Sequence, residues 1–270
     1  MRTFKLTLAG VLISCTVLVT AQCGGMPVET PAPATAPATA VPAIIEDLVA
    51  ANRIIADQGV VDGYGHVSVR NPDNPDQFFL SRSMAPESVV ASDILTLDLD
   101  GNVLNSDQNT YQERYIHSEI YRLRPDVNSV VHSHAPSVVP FGTTTVPLRA
   151  MFHMSAFIGQ GLPIFEIRDA AGMTDMLVSN QDIGRALAEA LGDRPAVLMR
   201  GHGAAIVGTS LPIAVGQSIY LAINAAMQAQ AMGLGGPVTY LTPEEVELTG
   251  IPDNYQRAWT LWRQDALGEN

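Results

Sequence analysis

Cysteine is nearly absent from this chain of 270 residues, and both cysteines, Cys15 and Cys23, lie close to the N-terminus. The chain from residue 24 onward contains none. Disulfides and thiolate metal sites are therefore excluded from the body of the protein. Any metal that the body binds must be held by nitrogen and oxygen ligands.

Positive charge is also scarce, since 15 lysine and arginine residues stand against 27 aspartate and glutamate residues, for a formal net charge of -12. An acidic protein of this kind repels phosphate backbones and anionic lipid surfaces, which argues against nucleic acid as a partner. Charged residues make up 16% of the chain and hydrophobic residues 47%, enough for a buried core. The length suits one domain of ordinary to large size, or two small ones.

The apolar run at the N-terminus, Leu6 to Ala21, falls short of the ~20 residues that a transmembrane helix needs. It follows the positive residues Arg2 and Lys5 and ends at a small-residue stretch before Gln22. This pattern predicts a secretory signal peptide over residues 1–25, with an uncleaved anchor as the alternative.

A lipoprotein signal is a third interpretation of the same residues. The segment LISC, ending at Cys15, resembles such a signal but lies in the middle of the apolar run, whereas TAQC, ending at Cys23, is better placed and matches less well. We expect an exported protein, periplasmic or secreted, either free or lipid-anchored. Residues 26–43 are rich in proline and alanine and predict an extended linker, so the folded domain is predicted over residues 44–270.

Apolar periodicity and turn residues predict a mixture of helices and short strands in this domain. The predicted helices are Ile44 to Gln58, Glu113 to Arg124, Thr174 to Leu191 and Leu211 to Met232, and the predicted strands are Gly63 to Arg70, Phe78 to Leu80, Ile94 to Asp98, Val127 to His134, Ile164 to Ile167 and Ala196 to Met199. Strands with helices interspersed indicate an α/β layered domain.

Two histidines in the predicted strand Val127 to His134 suggest a metal site. His132 and His134 are two residues apart, and alternate residues of a strand share one face, so their imidazoles point into the same space. His202 lies between Gly201 and Gly203, directly after a predicted buried strand, where glycines let the backbone approach a ligand. Three imidazoles with an open position suit a catalytic zinc or a similar divalent metal.

Structural roles are the competing interpretation for each of these residues. A single histidine at the end of a strand is more often hydrogen-bonded than metal-bound, and a His-x-His pair also occurs by chance.

Glu113 and His117 are four apart, which places them on one face of the predicted helix. If that face looks at the metal, Glu113 is a fourth ligand or a proton-transfer group; otherwise it is a solvent-exposed helix start.

Several ordered segments resemble the class II aldolase/adducin family over roughly Ile44 to Met232. The segments that carry the resemblance are GHVSVR at Gly65 to Arg70, ERYIH at Glu113 to His117, RPD at Arg124 to Asp126 leading to HSH at His132 to His134, and GHG at Gly201 to Gly203. The resemblance implies a three-layer αβα domain around a mostly antiparallel central sheet. It also implies assembly as a homo-oligomer, usually a tetramer with sites at subunit interfaces.

The same resemblance assigns roles to the site residues. It implies that His132, His134 and His202 bind zinc, or else manganese, cobalt or iron, and that Glu113 is a metal-proximal acid/base. The metal polarises a carbonyl or hydroxy-carbonyl group of a small-molecule substrate while a carbon–carbon bond breaks. Glu113 transfers protons to and from the intermediate.

Two departures set this chain apart from the sugar-phosphate aldolases of the family. Those enzymes carry Gly-Asn where His66 follows Gly65, and a Ser-Ser pair where Tyr111 and Gln112 precede Glu113. The hydroxyl and amide donors that would hold a phosphate are thus partly missing.

Other segments resemble the decarboxylase branch, which acts on hydroxylated aromatic or β-keto acids. They are LSRSMAPE at Leu80 to Glu87 and FHMSAFIG at Phe152 to Gly159. They imply substrate binding by His66, Ser81, Arg82 and Ser83, and protonation of the product by Glu113, His117 or His153. The alternative is that Arg82 pairs with a core aspartate and that the aromatic residues are core.

The sequence therefore predicts a divalent-metal-dependent carbon–carbon lyase, one that decarboxylates a hydroxy-aromatic or β-keto acid or cleaves an aldol. A sugar-phosphate aldolase or epimerase, an iron-dependent oxygen enzyme, a non-catalytic adducin-like binding module and a periplasmic binding protein are the rival predictions. The expected membrane contact is limited to an N-terminal lipid anchor.

Overall fold

A computed structural model describes residues 40–269 of the chain. The predicted signal peptide and all but the last four residues of the predicted linker lie outside these residues. Helix α1 spans Ala40–Asp57, so it begins four residues before the predicted start of the domain, and Gly59 at φ +67° follows its end. Within residues 40–269, no helix combines the length and the hydropathy needed to cross a membrane.

The centre of the domain is a sheet of seven strands. They are β1 (His66–Arg70), β2 (Gln77–Ser81), β3 (Ile94–Asp98), β4 (Ser129–Ser133), β5 (Ile164–Phe165), β6 (Ala196–Met199) and β7 (Gly203–Gly208). Their order across the sheet is β3-β2-β1-β4-β7-β6-β5. Neighbouring strands are antiparallel throughout, except that β5 runs parallel to β6. The predicted mostly antiparallel sheet is confirmed.

Helices cover both faces of this sheet. After α1 they are α2 (Arg114–Leu123), α3 (Val139–Thr143), α4 (Ile167–Ala171), α5 (Gln181–Leu191), α6 (Leu211–Gly233), α7 (Pro243–Thr249) and α8 (Gln256–Leu267). Because side chains alternate along a strand, Val131 of β4 packs into a core with residues of α1 and α6, whereas Val130 packs into a second core with residues of α2 and α5. Two cores on opposite faces of one sheet make the three-layer αβα architecture that was predicted.

Several elements differ from their predictions, and helices α3, α4, α7 and α8 were not predicted. The helix predicted over Thr174 to Leu191 begins only at Gln181, where the Asn180 side chain accepts a hydrogen bond from the backbone N–H of Ile183 and caps the helix. Residues 172–180 form a loop instead. Strand β7 was not predicted, because its sequence GAAIVG has small residues and no alternation of apolar and polar side chains.

Candidate metal centre and active-site cleft

The first part of the candidate site lies at the end of β4, in the middle of the sheet. His132 is on the strand and fully buried, and His134 follows the last strand residue, Ser133. Their Nε2 atoms are 2.9 Å apart. Register pairs His132 with His66 on the neighbouring strand β1, and the centroids of these two rings are 5.1 Å apart.

His202 reaches the same point from the turn between β6 and β7. Its Nε2 lies 3.0 Å from Nε2 of His134. Gly201 adopts φ +66°, which a residue with a side chain rarely does, and β7 begins at Gly203 in close contact with the backbone carbonyl of Ser133. The two flanking glycines thus permit the tight approach that the sequence suggested.

Replacing Gly203 with alanine is expected to destabilise the fold and weaken the centre together. The added Cβ would collide with the carbonyl of Ser133, so β7 and β4 must separate just where His202 faces His134. We expect a loss of about 1–3 kcal/mol in the free energy of unfolding. Denaturant unfolding measures it, with Gly236→Ala, which adds a Cβ into open space, as the control. Equal stability of the two variants would contradict the role of Gly203.

Backbone carbonyls determine which nitrogen of two of these rings carries the proton. Nδ1 of His132 is 3.1 Å from the carbonyl of Ala204, and Nδ1 of His202 is 3.0 Å from the carbonyl of Met176. Since a carbonyl oxygen only accepts, both Nδ1 atoms are protonated donors. The Nε2 atoms therefore present lone pairs to the common point, as metal-binding histidines do.

Glu113, the residue directly before α2, completes the cluster. Its Oε2 lies 3.4 Å from Nε2 of His132 and 3.5 Å from Nε2 of His202. Its Oε1 accepts a hydrogen bond of 3.0 Å from the backbone N–H of Val178. One carboxylate oxygen is thus held by the backbone, and the other faces the three imidazoles.

The charges of the cluster act on one another in the metal-free protein. Burial alone would raise the pKa of Glu113, but the charges and hydrogen bonds of His132 and His202 outweigh it and lower that pKa far below its ordinary value. Burial, followed by the neighbouring imidazoles, lowers the pKa of His134 to about 4. For His202, burial lowers the pKa, but the hydrogen bond and charge of Glu113 produce a net rise.

This arrangement fits a divalent metal. The ligand atoms of Glu113, His132, His134 and His202 all lie within 4.8 Å of one another. When the three rings are neutral, as metal ligands must be, His132 and His202 carry their protons on Nδ1, so only His134 has a proton for its two short N···N contacts, and one proton cannot bridge both. A cation between the lone pairs removes that conflict, and three nitrogens with one carboxylate oxygen form a donor set that zinc and related metals accept.

The loop of residues 172–180 is part of the centre. The carbonyl of Met176 fixes the tautomer of His202, and the N–H of Val178 fixes Glu113. Met176 has φ +74°, a conformation that is costly for a residue with a side chain and that often occurs at functional sites. The segment wrongly predicted as the start of a helix therefore supplies two backbone groups that orient metal-facing side chains.

A cleft of about 500 Å³ opens onto the cluster. Its walls contain aromatic and apolar side chains together with a few polar groups. The lining residues are Gly63, Tyr64, Gly65, His66, Ser83, Met84, Ala85, Tyr111, Gln112, Glu113, His134 and Leu177. The cleft brings Glu113 and His134 of the cluster into reach of a bound molecule.

Only some of the predicted substrate-binding residues line this cleft. His66 and Ser83 do. Ser81 is fully buried and lies 2.9 Å from the hydroxyl of Tyr111; since that hydroxyl donates to the carbonyl of Met84, the Ser81 hydroxyl is the donor between them. Arg82 forms an ion pair of 2.7 Å with the buried Asp93, which is the structural alternative considered for it.

The two further histidines predicted to act in catalysis lie away from the cleft. Glu113 precedes α2 instead of lying inside it, so the one-face relation with His117 does not hold. His117 is fully buried and its ring bonds to His66 and Ser68. His153 is exposed on a short 3-10 helix, where its ring contacts Phe152. Neither His117 nor His153 is among the residues that line the cleft.

Eight of the twelve lining residues were not predicted as site residues, among them Tyr64, Tyr111 and Leu177. The ring of Tyr111 packs against His66 at a tilt of 36°, with the ring centroids 4.3 Å apart. Tyr64 is exposed at the opening, and Leu177 belongs to the 172–180 loop. Tyr64 between two glycines and Tyr111 two residues before Glu113 were the available signals. Neither pattern is specific without the fold, because isolated tyrosines are common in cores.

The metal-free protein is expected to lose stability as the pH falls from 6.5 toward 3. Burial, and then the charge of His132, lower the pKa of His117 from 6.5 to about 3. The unfolded chain binds a proton that folded His117 excludes, so this contribution to stability is full above pH 6.5 and declines below it. Unfolding in the presence of a chelator, measured across this range, should decline less steeply for His117→Gln. An equally steep decline in that variant would assign the effect to other groups.

Comparisons with known proteins agree with this geometry. Residues 46–229 match the family described as Class II Aldolase and Adducin N-terminal domain. The protein named Decarboxylase tropJ from Talaromyces stipitatus is 38% identical over 245 residues, which cover 81% of this chain and 92% of that protein. A 3,4-dihydroxyphthalate decarboxylase from Arthrobacter keyseri is 32% identical over 235 residues, which cover 79% of this chain and 90% of that protein.

Solved structures share the fold at lower sequence identity. An aldolase II superfamily protein from Pseudomonas syringae superposes with a TM-score of 0.70 at 22% identity, covering 84% of this chain and 93% of that one. L-fuculose 1-phosphate aldolase from Glaciozyma antarctica superposes with a TM-score of 0.68 at 23% identity, covering 83% of this chain and 88% of that one. These structures confirm the predicted fold class.

Proposed function

This chain belongs to the class II aldolase and adducin family, whose named relatives are decarboxylases and aldolases, and we propose that it decarboxylates hydroxy-aromatic acids. Decarboxylases and aldolases are lyases, and the class II aldolase fold is of the metal-dependent lyase type. The reaction and the substrate are the proposal.

The observation that carries the proposal is the composition of the cleft wall. Tyr64, Tyr111, Met84 and Leu177 offer flat and apolar surfaces to a bound molecule. Within residues 40–269, no arginine or lysine lines the cleft, so the cationic side chains that commonly hold a phosphate group are not in place. A planar aromatic acid fits these walls better than a sugar phosphate does.

The residues that would hold the metal are His132, His134 and His202, with Glu113 beside them. A divalent cation held there supplies Lewis-acid polarisation of the substrate oxygens. We propose zinc, because the donor set consists of imidazoles and a carboxylate. The family's other metals, manganese, cobalt and iron, are outcomes that elemental analysis would distinguish.

Glu113 is the proton carrier of the proposed reaction. Its Oε2 faces the centre, and Glu113 lines the cleft. The carboxylate takes the proton of a substrate hydroxyl, and the carbon–carbon bond to the substrate carboxylate then breaks with release of carbon dioxide. The electron pair of that bond stays on the ring carbon, and Glu113 returns the proton to that carbon.

Lysine chemistry is not available to this domain as an alternative. Carbon–carbon lyases without a metal commonly form an imine between a lysine and the substrate carbonyl. The sequence has one lysine, Lys5, which lies outside the described residues. This composition favours the metal-assisted reaction.

A substrate panel tests the proposal. The zinc-reconstituted protein would be incubated separately with 3,4-dihydroxyphthalate, 2,3-dihydroxybenzoate, a β-keto acid and L-fuculose 1-phosphate, with carbon dioxide and aldehyde both measured. We expect carbon dioxide from a hydroxy-aromatic acid and no aldehyde from the sugar phosphate. Aldehyde release alone would replace decarboxylation by aldol cleavage, and turnover of none of the four in a metal-loaded protein would favour a binding module.

We also propose export of the protein and its assembly as a homotetramer. The support for export is the charged, apolar and small-residue pattern of residues 1–25. Expression of the full chain in a bacterial host, followed by mass analysis of its N-terminus, distinguishes a cleaved signal from a lipidated cysteine and from an uncleaved anchor. Light scattering of the purified protein gives the subunit count.

A further inference from the structure

Behind the cleft, four side chains form a buried series of hydrogen bonds. The hydroxyl of Tyr121 lies 2.7 Å from Oγ of Ser68, and that Oγ lies 2.6 Å from Nδ1 of His117. Nε2 of His117 lies 2.6 Å from Nδ1 of His66, which lines the cleft. We call Tyr121, Ser68 and His117 the buried relay. The relay is not used by the reaction described above.

The direction of these bonds follows from the donor at the far end. Burial raises the pKa of Tyr121, so its hydroxyl keeps its proton across the physiological range. Among residues 40–269, that hydroxyl is hydrogen-bonded to the Ser68 side chain and to the backbone of Val130, whose lowering effect on the pKa is that of a donated N–H, so Ser68 is the acceptor for the Tyr121 proton. Tyr121 therefore donates to Ser68, and the single proton of Ser68 is left to donate to Nδ1 of His117.

The remaining two links are then determined. With Nδ1 of His117 accepting, the proton of that neutral ring is on Nε2, and it is donated to Nδ1 of His66. His66 in turn carries its own proton on Nε2. The opposite direction would leave the Tyr121 hydroxyl, which is fully buried, without an acceptor.

Neighbouring residues hold both ends of the series in place. The guanidinium of Arg70 lies 4.7 Å from the centre of the Tyr121 ring and donates to the carbonyls of Tyr121 and Val127. At the other end, the ring of Tyr111 packs against His66 at 4.3 Å. A ring that is packed on its face and hydrogen-bonded at Nδ1 has little freedom to turn.

We propose that the buried relay orients His66 so that its Nε2–H is presented to the cleft as a hydrogen-bond donor for an anionic oxygen of the substrate. This inference rests on the proposed function and deepens it, since the oxygen it selects is that of a carboxylate on the hydroxy-aromatic ring. Tyr121, Ser68 and His117 are positioning residues, and His66 is the one that touches the substrate. The role predicted for His117 becomes indirect.

The tautomers can be read directly, without turnover. In the zinc-loaded protein labelled with ¹⁵N-histidine, long-range ¹H–¹⁵N correlation spectra distinguish protonated from bare ring nitrogens. We expect His66 and His117 both to carry the proton on Nε2, with assignment by His66→Asn and His117→Gln. A proton on Nδ1 of His66 would overturn the proposal whatever the protein catalyses.

Ligand binding tests the consequence of that donor. The probes are 2,3-dihydroxybenzoate and catechol, which differ by one carboxylate, and calorimetry measures both. His66→Phe should weaken 2,3-dihydroxybenzoate by about 10- to 100-fold, as loss of a hydrogen bond to a charged group does, and leave catechol within about threefold. His66→Asn, which restores an N–H donor, should recover part of the loss. Equal weakening of both probes in His66→Phe would overturn the assignment.

The relay itself is tested by Ser68→Ala against Ser118→Ala. Ser118 is a buried serine of α2 whose hydroxyl finds no hydrogen-bond partner among residues 40–269, so it controls for loss of a buried hydroxyl. We expect Ser68→Ala to weaken 2,3-dihydroxybenzoate selectively and to raise KM more than it lowers kcat, with Ser118→Ala unchanged. Identical behaviour of the two variants would overturn the relay. If Ser68→Ala fails to fold, the tautomers of His66 and His117 in the native protein still test the relay.

These measurements separate the relay from the proposed reaction. Nε2–H at His66 with selective carboxylate binding, but no carbon dioxide from any substrate, would retain the relay and reject the decarboxylation. Carbon dioxide release by a protein whose His66 carries its proton on Nδ1 would retain the decarboxylation and reject the relay.

Discussion

The purified chain will hold about one equivalent of a divalent metal, and His132→Ala combined with His134→Ala will hold none. These two imidazoles contribute two of the four ligand atoms that lie within 4.8 Å of one another. Without them His202 and Glu113 remain, and two ligands do not retain a metal through purification. Elemental analysis of both proteins after dialysis measures the difference.

The matched control for this experiment is His153→Ala. His153 is exposed and lies outside the cluster, so its loss should leave the metal content unchanged. Activity should be absent from the double variant in every assay and should not return on addition of metal. A native protein that stays metal-free after reconstitution would reject the lyase and leave an adducin-like binding module as the better interpretation.

Glu113→Gln is expected to lower kcat by about 10²- to 10⁴-fold while most of the metal is retained. The amide keeps the acceptor for the N–H of Val178, so the side chain stays in place, but it cannot take up and return a proton. The three imidazoles still supply three ligands, which is sufficient for a catalytic metal site. Steady-state kinetics and metal analysis on the same preparation measure both effects.

A control variant and the metal content decide how the Glu113→Gln result is interpreted. Glu189→Gln alters an exposed glutamate of α5 and should leave kcat and metal content as they are. If Glu113→Gln loses the metal as well as activity, the carboxylate is primarily a ligand. A kcat within about threefold of the native value would remove Glu113 from proton transfer altogether.

The three histidines that face the metal centre were predictable because each has a local signature. His132 and His134 follow the period of two that places alternate residues of a strand on one face. His202 has glycines on both sides, and the structure shows the reason, a positive φ at Gly201 and close backbone contact at Gly203. Short apolar runs bounded by turn residues, with alternation in the first of them, also predicted six of the seven strands.

The surroundings of the centre were not predictable in the same way. Met176 is apolar and partly buried against the second core, so it falls into the helical period of Thr174 to Leu191. The apolar spacing in this segment correctly indicated buried residues but wrongly indicated a helix. The contacts of this loop with Glu113 and His202 outweigh its helix propensity. Tertiary contacts of this kind cannot be predicted from the spacing of apolar residues along the sequence.

The role of His117 shows the same limit. Its spacing of four from Glu113 suggested a shared helix face, yet Glu113 is not part of the helix, and His117 points to Ser68 and His66. A helix start one residue later than predicted thus removes the shared face that the spacing suggested. Boundaries are the least certain part of any assignment made from periodicity.

The 172–180 loop contacts the centre through main-chain atoms, the carbonyl of Met176 and the N–H of Val178, while the side chain of Leu177 lines the cleft. Main-chain atoms are the same in every residue except proline, which lacks the N–H. Position 177 can therefore exchange its side chain, and with it the shape of the cleft, without altering the groups that orient His202 and Glu113. In protein engineering, position 177 is a place to begin saturation mutagenesis for new substrates. Among diverging relatives, substitutions at this position can change substrate specificity while the reaction stays the same.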